Sequence, residues 1–346
     1  WLSDRPRNVG LRAAGFGQEL LLPWPGGSLP AHGSAAPRVE LDARVLQVAR
    51  EAGAQVHDGT TAVDVVMDGD RLAAVVAESA HGRMEYRSRQ VVVADGARSQ
   101  VGRLLGRQWH RDTVFGVAAR AYIDSERADD PWISSHLELR GKDDEVLSGY
   151  GWVFPLGDGQ VNIGVGTLAT ASRPADVNLR ALLAQYTDQQ RAEWKLGGDL
   201  RAPWSAALPM GGAVTGVAGR NWVLVGDAAA CVNPLNGEGI DYGLETGRLA
   251  ADMLGAERNL AVAWPHELRT HYGTSFSIAR RLAGYLTIPG LLPTLGPLGM
   301  RSRSLMKVAL RVMGNLVTDE DADIVARVWR AAGRLSVGAD HRPPFS

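Results

Sequence analysis

Asp227 ends a run of buried character, Asn221-Trp222-Val223-Leu224-Val225-Gly226-Asp227, and leads into Ala228-Ala229-Ala230, Pro234 and Gly237-Glu238-Gly239-Ile240. The apolar, β-branched run predicts a parallel strand. Its last residue would place a carboxylate at the strand's carboxyl end, where open α/β sheets bind ligands. A carboxylate there accepts hydrogen bonds from a sugar-like hydroxyl, and the small residues after it let backbone approach a flat ligand. Gly239 and Ile240 would open a helix whose first N–H groups favour electron-rich oxygen. A flavin offers O2 and N1 of that kind, and both gain negative charge on reduction. The bland alternative is a strand–turn–helix with incidental glycines.

Three further segments carry chemistry-capable residues. Val92-Val93-Ala94-Asp95-Gly96-Ala97-Arg98-Ser99, followed by Arg103, is a second apolar run ending in a turn. Alone, Asp95-Gly96 is a common turn pair. Arg38-Val39-Glu40-Leu41-Asp42 puts a permanently charged, planar guanidinium at a helix start, a shape suited to pyrophosphate, although read alone Arg38 is a solvated surface residue. In Tyr150-Gly151-Trp152-Val153-Phe154-Pro155, strand alternation puts Tyr150, Trp152 and Phe154 on one face. Most such aromatic stripes are sheet core. Aromatic faces also suit an apolar polyene that offers no charge to grip. Tyr150, His110 and Glu238 are proton-donor candidates by residue type alone, and no catalytic residue is assigned.

These segments need elements to hold them. Residues 9–30, rich in Gly and Pro, predict short strands and turns. A helix is predicted from Pro37-Arg38, with Leu41, Val45, Val48 and Ala49 at helical spacing and Gly53 ending it. Strands are predicted at 55–57, 61–67 and 72–77, the last two joined by Asp68-Gly69-Asp70. Residues 113–168 alternate and turn, as in Asn162-Ile163-Gly164-Val165-Gly166, and predict an antiparallel sheet. Helices are predicted over 179–189, 239–254, 265–286 and 302–315, with the Pro/Gly-rich 288–299 as a break. The two buried strands lie far apart with a sheet between them, so one nucleotide-binding domain is interrupted by a second domain.

The chain has 346 residues, long enough for a sizeable core, with 37 Lys+Arg against 38 Asp+Glu. That balance gives no basic stripe for nucleic acid. The single cysteine, Cys231, allows no disulfide framework and no cysteine-ligated zinc, which points to a reducing compartment. No uncharged apolar run is long enough for a membrane span. The opening Trp1-Leu2-Ser3-Asp4 has neither Met nor a signal-peptide pattern and reads as the interior of something longer.

Together the motifs resemble the geranylgeranyl reductase family of hydroxylase-like flavoproteins, over essentially the whole chain. Tyr-x-Trp-x-Phe-Pro at 150–155 is similar to that family's signature, and residues 109–117, 211–218, 226–250 and 342–346 extend the likeness. The resemblance implies an α/β fold, with a Rossmann-like FAD-binding domain of the p-hydroxybenzoate hydroxylase type, an antiparallel-sheet substrate domain and C-terminal helices. The expected division is 1–110 and 206–260 for the FAD-binding domain, 111–205 for the substrate domain and 261–346 for the helical region. The implied cofactor is FAD, held by Arg38, Asp95 and Gly96 near the pyrophosphate, Ala62 near the adenine, and Asp227, Pro234, Gly237, Gly239 and Ile240 near the ring. Tyr150, Trp152 and Phe154 are implied to line the substrate pocket.

The implied partners are an isoprenoid lipid or quinone substrate and an external electron donor, and the implied reaction saturates one isoprenoid double bond, with the side chain of menaquinone the first expectation. A geranylgeranyl-lipid reductase, an aromatic monooxygenase and a non-catalytic lipid-binding fragment are the alternatives. Residues 280–313, apolar with Arg280, Arg281, Arg301, Arg303, Lys307 and Arg311, are read either as a helical cap or as a membrane-facing lip with cations near anionic headgroups. The location expected is cytoplasmic, or peripheral on the cytoplasmic face of the membrane.

One departure stands out. The family opens with a strand, a Gly-x-Gly-x-x-Gly loop and a helix that hold the pyrophosphate, and it has a Cys-Gly-rich loop near the flavin. Neither motif is in these 346 residues: Gly10, Gly15 and Gly17 follow no buried strand and open no helix. The N-terminal βαβ unit is therefore missing from the expected FAD-binding domain. Either the sequence is a truncated record of a complete enzyme, or it is a fragment that binds FAD poorly.

Overall fold

The computed structural model describes residues 5–255 and 259–346, so the opening Trp1-Leu2-Ser3-Asp4 lies outside the described residues. The largest sheet has seven strands, in the order Leu196–Leu208, Phe115–Ser125, Gln160–Ala169, Gly149–Pro155, Trp132–His136, Gly10–Gly15 and Gln18–Pro23. Every neighbouring pair is antiparallel except Trp132–His136 with Gly10–Gly15, which run parallel. The two N-terminal strands form as expected, but they lie at the edge of this sheet and not beside the Val91–Val93 strand.

Alternation gives this sheet two working faces. One face buries Ala119, Ala121, Ile123, Val153, Ile163 and Val165 beneath the Leu179–Gln190 helix, whose Leu182, Leu183 and Tyr186 fill the gap with Trp194. Each buried Val, Ile or Leu side chain contributes roughly 1.5–3 kcal/mol by leaving water. Gly151 makes room for this packing, because a Cβ there would lie 2.4 Å from the Tyr186 ring. The other face carries Leu11, Ile133 and Leu137 toward the C-terminal helices Leu291–Met300 and Arg303–Met313.

A second core gathers the two apolar runs. Val91–Val93 and Trp222–Leu224 pair in parallel, as their composition predicts. They pack under the helices Ile240–Met253 and Leu260–Leu286 through Leu249, Trp264, Leu268, Tyr272 and Phe276. The Trp264 Nε1–H donates to Leu224 O at 2.8 Å. Beside them the strands Thr61–Asp68, Arg71–Ser79 and Gly82–Arg87 form an antiparallel sheet, with Gly69 at a φ of 59° in the first turn. Asn221 joins the two sheets: its Oδ1 accepts from Leu72 N–H at 2.8 Å and its Nδ2 donates to Leu72 O at 2.9 Å.

Two expectations are corrected, and a third element forms as predicted but packs differently. Residues 55–57 form no strand, because no partner among the described residues takes up their backbone groups. The Pro/Gly-rich break over 288–299 is largely the helix Leu291–Met300. Pro293 falls in the first turn, where an N–H is dispensable, and Gly296 lies against the Phe16 ring so closely that a Cβ would stand 2.3 Å from it. Packing there overrides propensity. Finally, the Arg38–Glu51 helix forms but buries none of its residues: Val45 and Val48 are 46% and 51% exposed. Its apolar spacing marks a face that the described residues leave uncovered.

Candidate active site

The Gly226–Ala229 turn follows the Trp222–Leu224 strand directly. Gly226 takes a φ of 55° and Ala230 a φ of 56°, so the chain reverses sharply. The turn is fastened to the next helix, because Gly226 N–H donates to Thr246 Oγ1 at 2.9 Å and that hydroxyl donates to Tyr242 O at 2.6 Å. Arg107 fastens it from the other side, donating from Nε to Ala228 O at 2.6 Å and from Nη2 to Asp227 O at 3.5 Å. Arg107 is 6% exposed, and nothing in its sequence neighbourhood marked it.

The turn presents the Asp227 carboxylate with no hydrogen-bond donor among the described residues. Burial raises its pKa, while the charges of Arg38 and Arg107 pull it down. Gly239 caps the Ile240–Met253 helix beside it, and a Cβ on Gly239 would lie 2.9 Å from Asp227 Oδ1. A half-buried carboxylate that no donor among the described residues meets can accept from a hydroxyl donor, and the bare glycine leaves space for one. The sugar-like chain of a flavin cofactor supplies such a hydroxyl. The helix end is less open than the sequence suggests, because the Asp241 carboxyl accepts from its own N–H and that of Tyr242.

Asp95 serves a different purpose. Its Oδ1 accepts from Ser99 Oγ at 2.6 Å and its Oδ2 from Val101 N–H at 2.8 Å, so the carboxylate caps the short Gln100–Leu104 helix. Gly96 has a φ of 75° and open space where a Cβ would stand. Asp95 also raises the pKa of Arg107, against the larger lowering effect of burial. Arg107 thus links Asp95 to Asp227 across 132 residues. Arg38 joins the neighbourhood by its charge, with its N–H donating to Tyr122 Oη and its guanidinium paired with Asp42 at 3.0 Å on an exposed surface. Ala62 packs half-buried against the core that holds Val93 and Leu224. Pro234 is buried beside Gly211, and Gly237 turns the chain at a φ of 78°.

A cavity of about 370 Å³ lies beyond the loop that follows this turn, with Leu235, Asn236 and Glu238 in its wall. Its wall is mainly apolar, with Leu11, Leu22, Trp24, Leu137, Phe154 and Leu310 among its lining. Tyr150 and Phe154 line it. Trp152 does not. It shares their strand face, with its ring 5.8 Å from Tyr150 and 6.3 Å from Phe154, but it lies across Gly164 and its Nε1 donates to Asn162 Oδ1 at 2.9 Å. The neighbouring strand offers a glycine at the one place a large ring can lie flat.

The Leu235, Asn236 and Glu238 wall leads along the chain to Gly239, which stands beside Asp227. The Tyr150 hydroxyl donates to Asn236 O, and Asn236 Nδ2 donates to Glu238 Oε2 at 2.8 Å. Burial among cavity walls, with the Asp241 charge adding to it, pushes the Glu238 carboxyl up to about 7. The side chain is exposed to solvent while it lines the cavity. His110 lies elsewhere, with its Nε2 3.4 Å from Thr215 Oγ1, and burial lowers its pKa.

The lip reading of 280–313 also changes. Arg280 and Arg281 both pair with Asp340, and Arg311 pairs with Asp321 and Asp323. Arg301, Arg303 and Lys307 remain exposed, beside Leu295, Leu298 and Leu305, each more than half exposed. No helix among the described residues is long and apolar enough to cross a membrane.

Comparison with known proteins gives this geometry a context. Residues 28–259 match the FAD binding domain family. A menaquinone reductase of Mycobacterium tuberculosis is 59% identical over 346 residues, covering all of this chain and 84% of that protein. A digeranylgeranylglycerophospholipid reductase of Methanopyrus kandleri is 30% identical over 244 residues, covering 67% of this chain and 61% of that protein. Among solved structures, a geranylgeranyl bacteriochlorophyll reductase-like protein from Thermoplasma acidophilum superposes with a TM-score of 0.70 at 17% identity, over 97% of this chain and 80% of that one.

Proposed function

The chain belongs to the FAD-binding flavoprotein family that includes the menaquinone and geranylgeranyl reductases, and from that premise we propose that it is an FAD-dependent reductase saturating one isoprenoid double bond in the side chain of menaquinone. The observation that carries the reading is the continuity of residues 235–239: Leu235, Asn236 and Glu238 wall an apolar cavity, and the next residue stands over the unmatched Asp227 carboxylate. A cavity of about 370 Å³ lies within the range of small-molecule sites.

FAD supplies the hydride chemistry when bound. Asp227 accepts from its sugar-like hydroxyls, Gly239 and Ile240 border the ring, and Pro234 and Gly237 shape the loop between. Asp95 and Gly96 set the loop toward the pyrophosphate, with Arg38 swinging from Asp42 to meet it, and Ala62 lies toward the adenine. Tyr150 and Phe154 hold the polyene in the cavity by their ring faces and exclude water from it, and Trp152 stiffens the strand behind them. Single-turnover mixing of pre-reduced, FAD-loaded protein with menaquinone tests this. The expected product is heavier by two hydrogens, and its absence with FAD verified as bound refutes the reading.

The substrate reaches the cavity from a lipid surface. The Arg303–Met313 helix turns Met306, Leu310 and Met313 into the cavity and Leu305, Lys307 and Val308 outward. With Leu295, Leu298, Arg301 and Arg303 this outer face suits peripheral docking on an anionic bilayer. Co-sedimentation with anionic vesicles at low salt, weakened by added salt, is the expected result. Equal recovery with and without vesicles counts against docking. The electron donor is an external reductant that this chain does not specify.

A further inference from the structure

We propose that Glu238 is the acid that protonates the alkene, an assignment that rests on the reductase reading above. Glu238 is the one carboxyl group among the described residues that line the cavity. It is held in place, because Asn236 Nδ2 donates to its Oε2 and its own N–H donates to Asn236 Oδ1 at 2.9 Å. Asn236 is in turn tied to the opposite wall by the Tyr150 hydroxyl. Glu238 therefore sits between the hydrocarbon cavity and the Asp227 turn, one residue from Gly239.

The surroundings favour its protonated form. Apolar walls penalise the charged form, and Asp241 on the following helix repels it. Asp241 is itself raised by burial, with Asn315 donating to it and Glu245 repelling it. The other titratable groups on the lining are Tyr150 and His32. Burial raises the Tyr150 hydroxyl above its ordinary range, and its proton is already committed to Asn236. A carboxyl half-protonated near neutrality suits general-acid work.

An unactivated alkene has no carbonyl to polarise, so hydride arrival and protonation must assist each other. The C=C π bond breaks and two C–H bonds form, one from a hydride given by the reduced flavin and one from the Glu238 proton. The flavin is left oxidised by two electrons and Glu238 is left as a carboxylate, which solvent reprotonates at its exposed side chain.

Glu238→Gln keeps the volume and an acceptor for Asn236 but has no proton to give. In FAD-loaded, pre-reduced protein it should slow dihydro-product formation by about 10²–10⁴-fold, with quenching of oxidised flavin fluorescence by menaquinone unchanged. Infrared difference spectra of the oxidised holoenzyme between acid and alkaline pH supply a readout independent of turnover. Wild type should show a protonated-carboxyl band that titrates near neutrality, and Glu238→Gln should lack it. Glu238→Asp should recover part of the rate and its alkaline loss, and His32→Gln should leave the pH profile in place. Wild-type rate in Glu238→Gln, absence of the titrating band from wild type, or loss of the profile in His32→Gln alone overturns the proposal and leaves the reductase reading standing. Wild-type holoenzyme that makes no dihydro product overturns both.

Discussion

A methyl group on Gly239 would stand 2.9 Å from Oδ1 of Asp227, closer than real side chains approach one another without displacement. The two residues come from different elements, a helix cap and a strand-end turn, which the Gly226–Thr246 hydrogen bond ties together while Arg107 holds the turn from its other side. The spacing leaves the carboxylate an open side and nothing from the protein to fill it.

Gly239→Ala should therefore weaken FAD binding by about tenfold, or about 1.4 kcal/mol, with little change in the unfolding temperature of the apoprotein. Gly239 has a negative φ of −146°, outside the left-handed region, so the contact with Asp227 is the main effect expected. Flavin fluorescence titration of apoprotein measures it. Gly226→Ala is the contrasting case: a φ of 55° costs a β-carbon roughly 1–2 kcal/mol of stability.

Asp227→Asn separates ligand binding from folding. Burial raises the native pKa of Asp227 above its unfolded value, so its contribution to stability is full below the unfolded pKa and is lost as pH rises through the native one. Removing the charge should leave apoprotein stability at neutral pH equal or higher, while FAD affinity falls. Parallel loss of both properties would mean that the carboxylate is structural.

Arg107→Ala should damage both. It strips the donors from Ala228 O and Asp227 O in a buried site and should cost roughly 2–3 kcal/mol. Arg107→Lys, which cannot span two carbonyls as a planar fork does, should recover only part of this. Urea unfolding with FAD titration on the same samples reads both quantities.

The parts of this site legible from sequence were those with a period or a punctuation mark. Val91–Val93 and Trp222–Leu224 announced themselves as parallel strands by composition, and Gly239 as a helix start by position. Arg107 was invisible because a buried arginine bonded to main-chain carbonyls leaves no pattern: its partners lie about 120 residues away and are carbonyl oxygens that every residue has. Trp152 shared the strand parity of Tyr150 and Phe154, and only the glycine across the sheet, Gly164, decided that its ring would lie down. Leu291–Met300 read as a break because propensity is local, whereas the contact of Gly296 with Phe16 is not. The helix Ile324–Gly338 lies outside the predicted helices although its apolar residues fall at helical spacing.

The sheet face opposite the cavity should set the acid limit of stability. His136 is pressed against Tyr186, with its Nδ1 hydrogen-bonded to the Tyr186 hydroxyl, whose proton burial retains. Burial first, and then the nearby Arg12 charge, lowers the His136 pKa from 6.5 to about 4. In the unfolded chain the ring protonates near 6.5; in the native protein it stays neutral until about 4. Between those values the unfolded state binds the extra proton, so stability is full above 6.5 and falls as pH drops toward 4, by roughly 3 kcal/mol. His136→Asn should lower stability at neutral pH, since it opens space beside Tyr186, and should flatten the acid slope. Urea midpoints for wild type and variant across this pH range measure the difference. An acid slope in His136→Asn as steep as in wild type would assign the loss to other groups, Asp130 first among them, whose pKa its hydrogen bonds with Arg127, Trp132 and Arg12 lower against the opposing effect of burial.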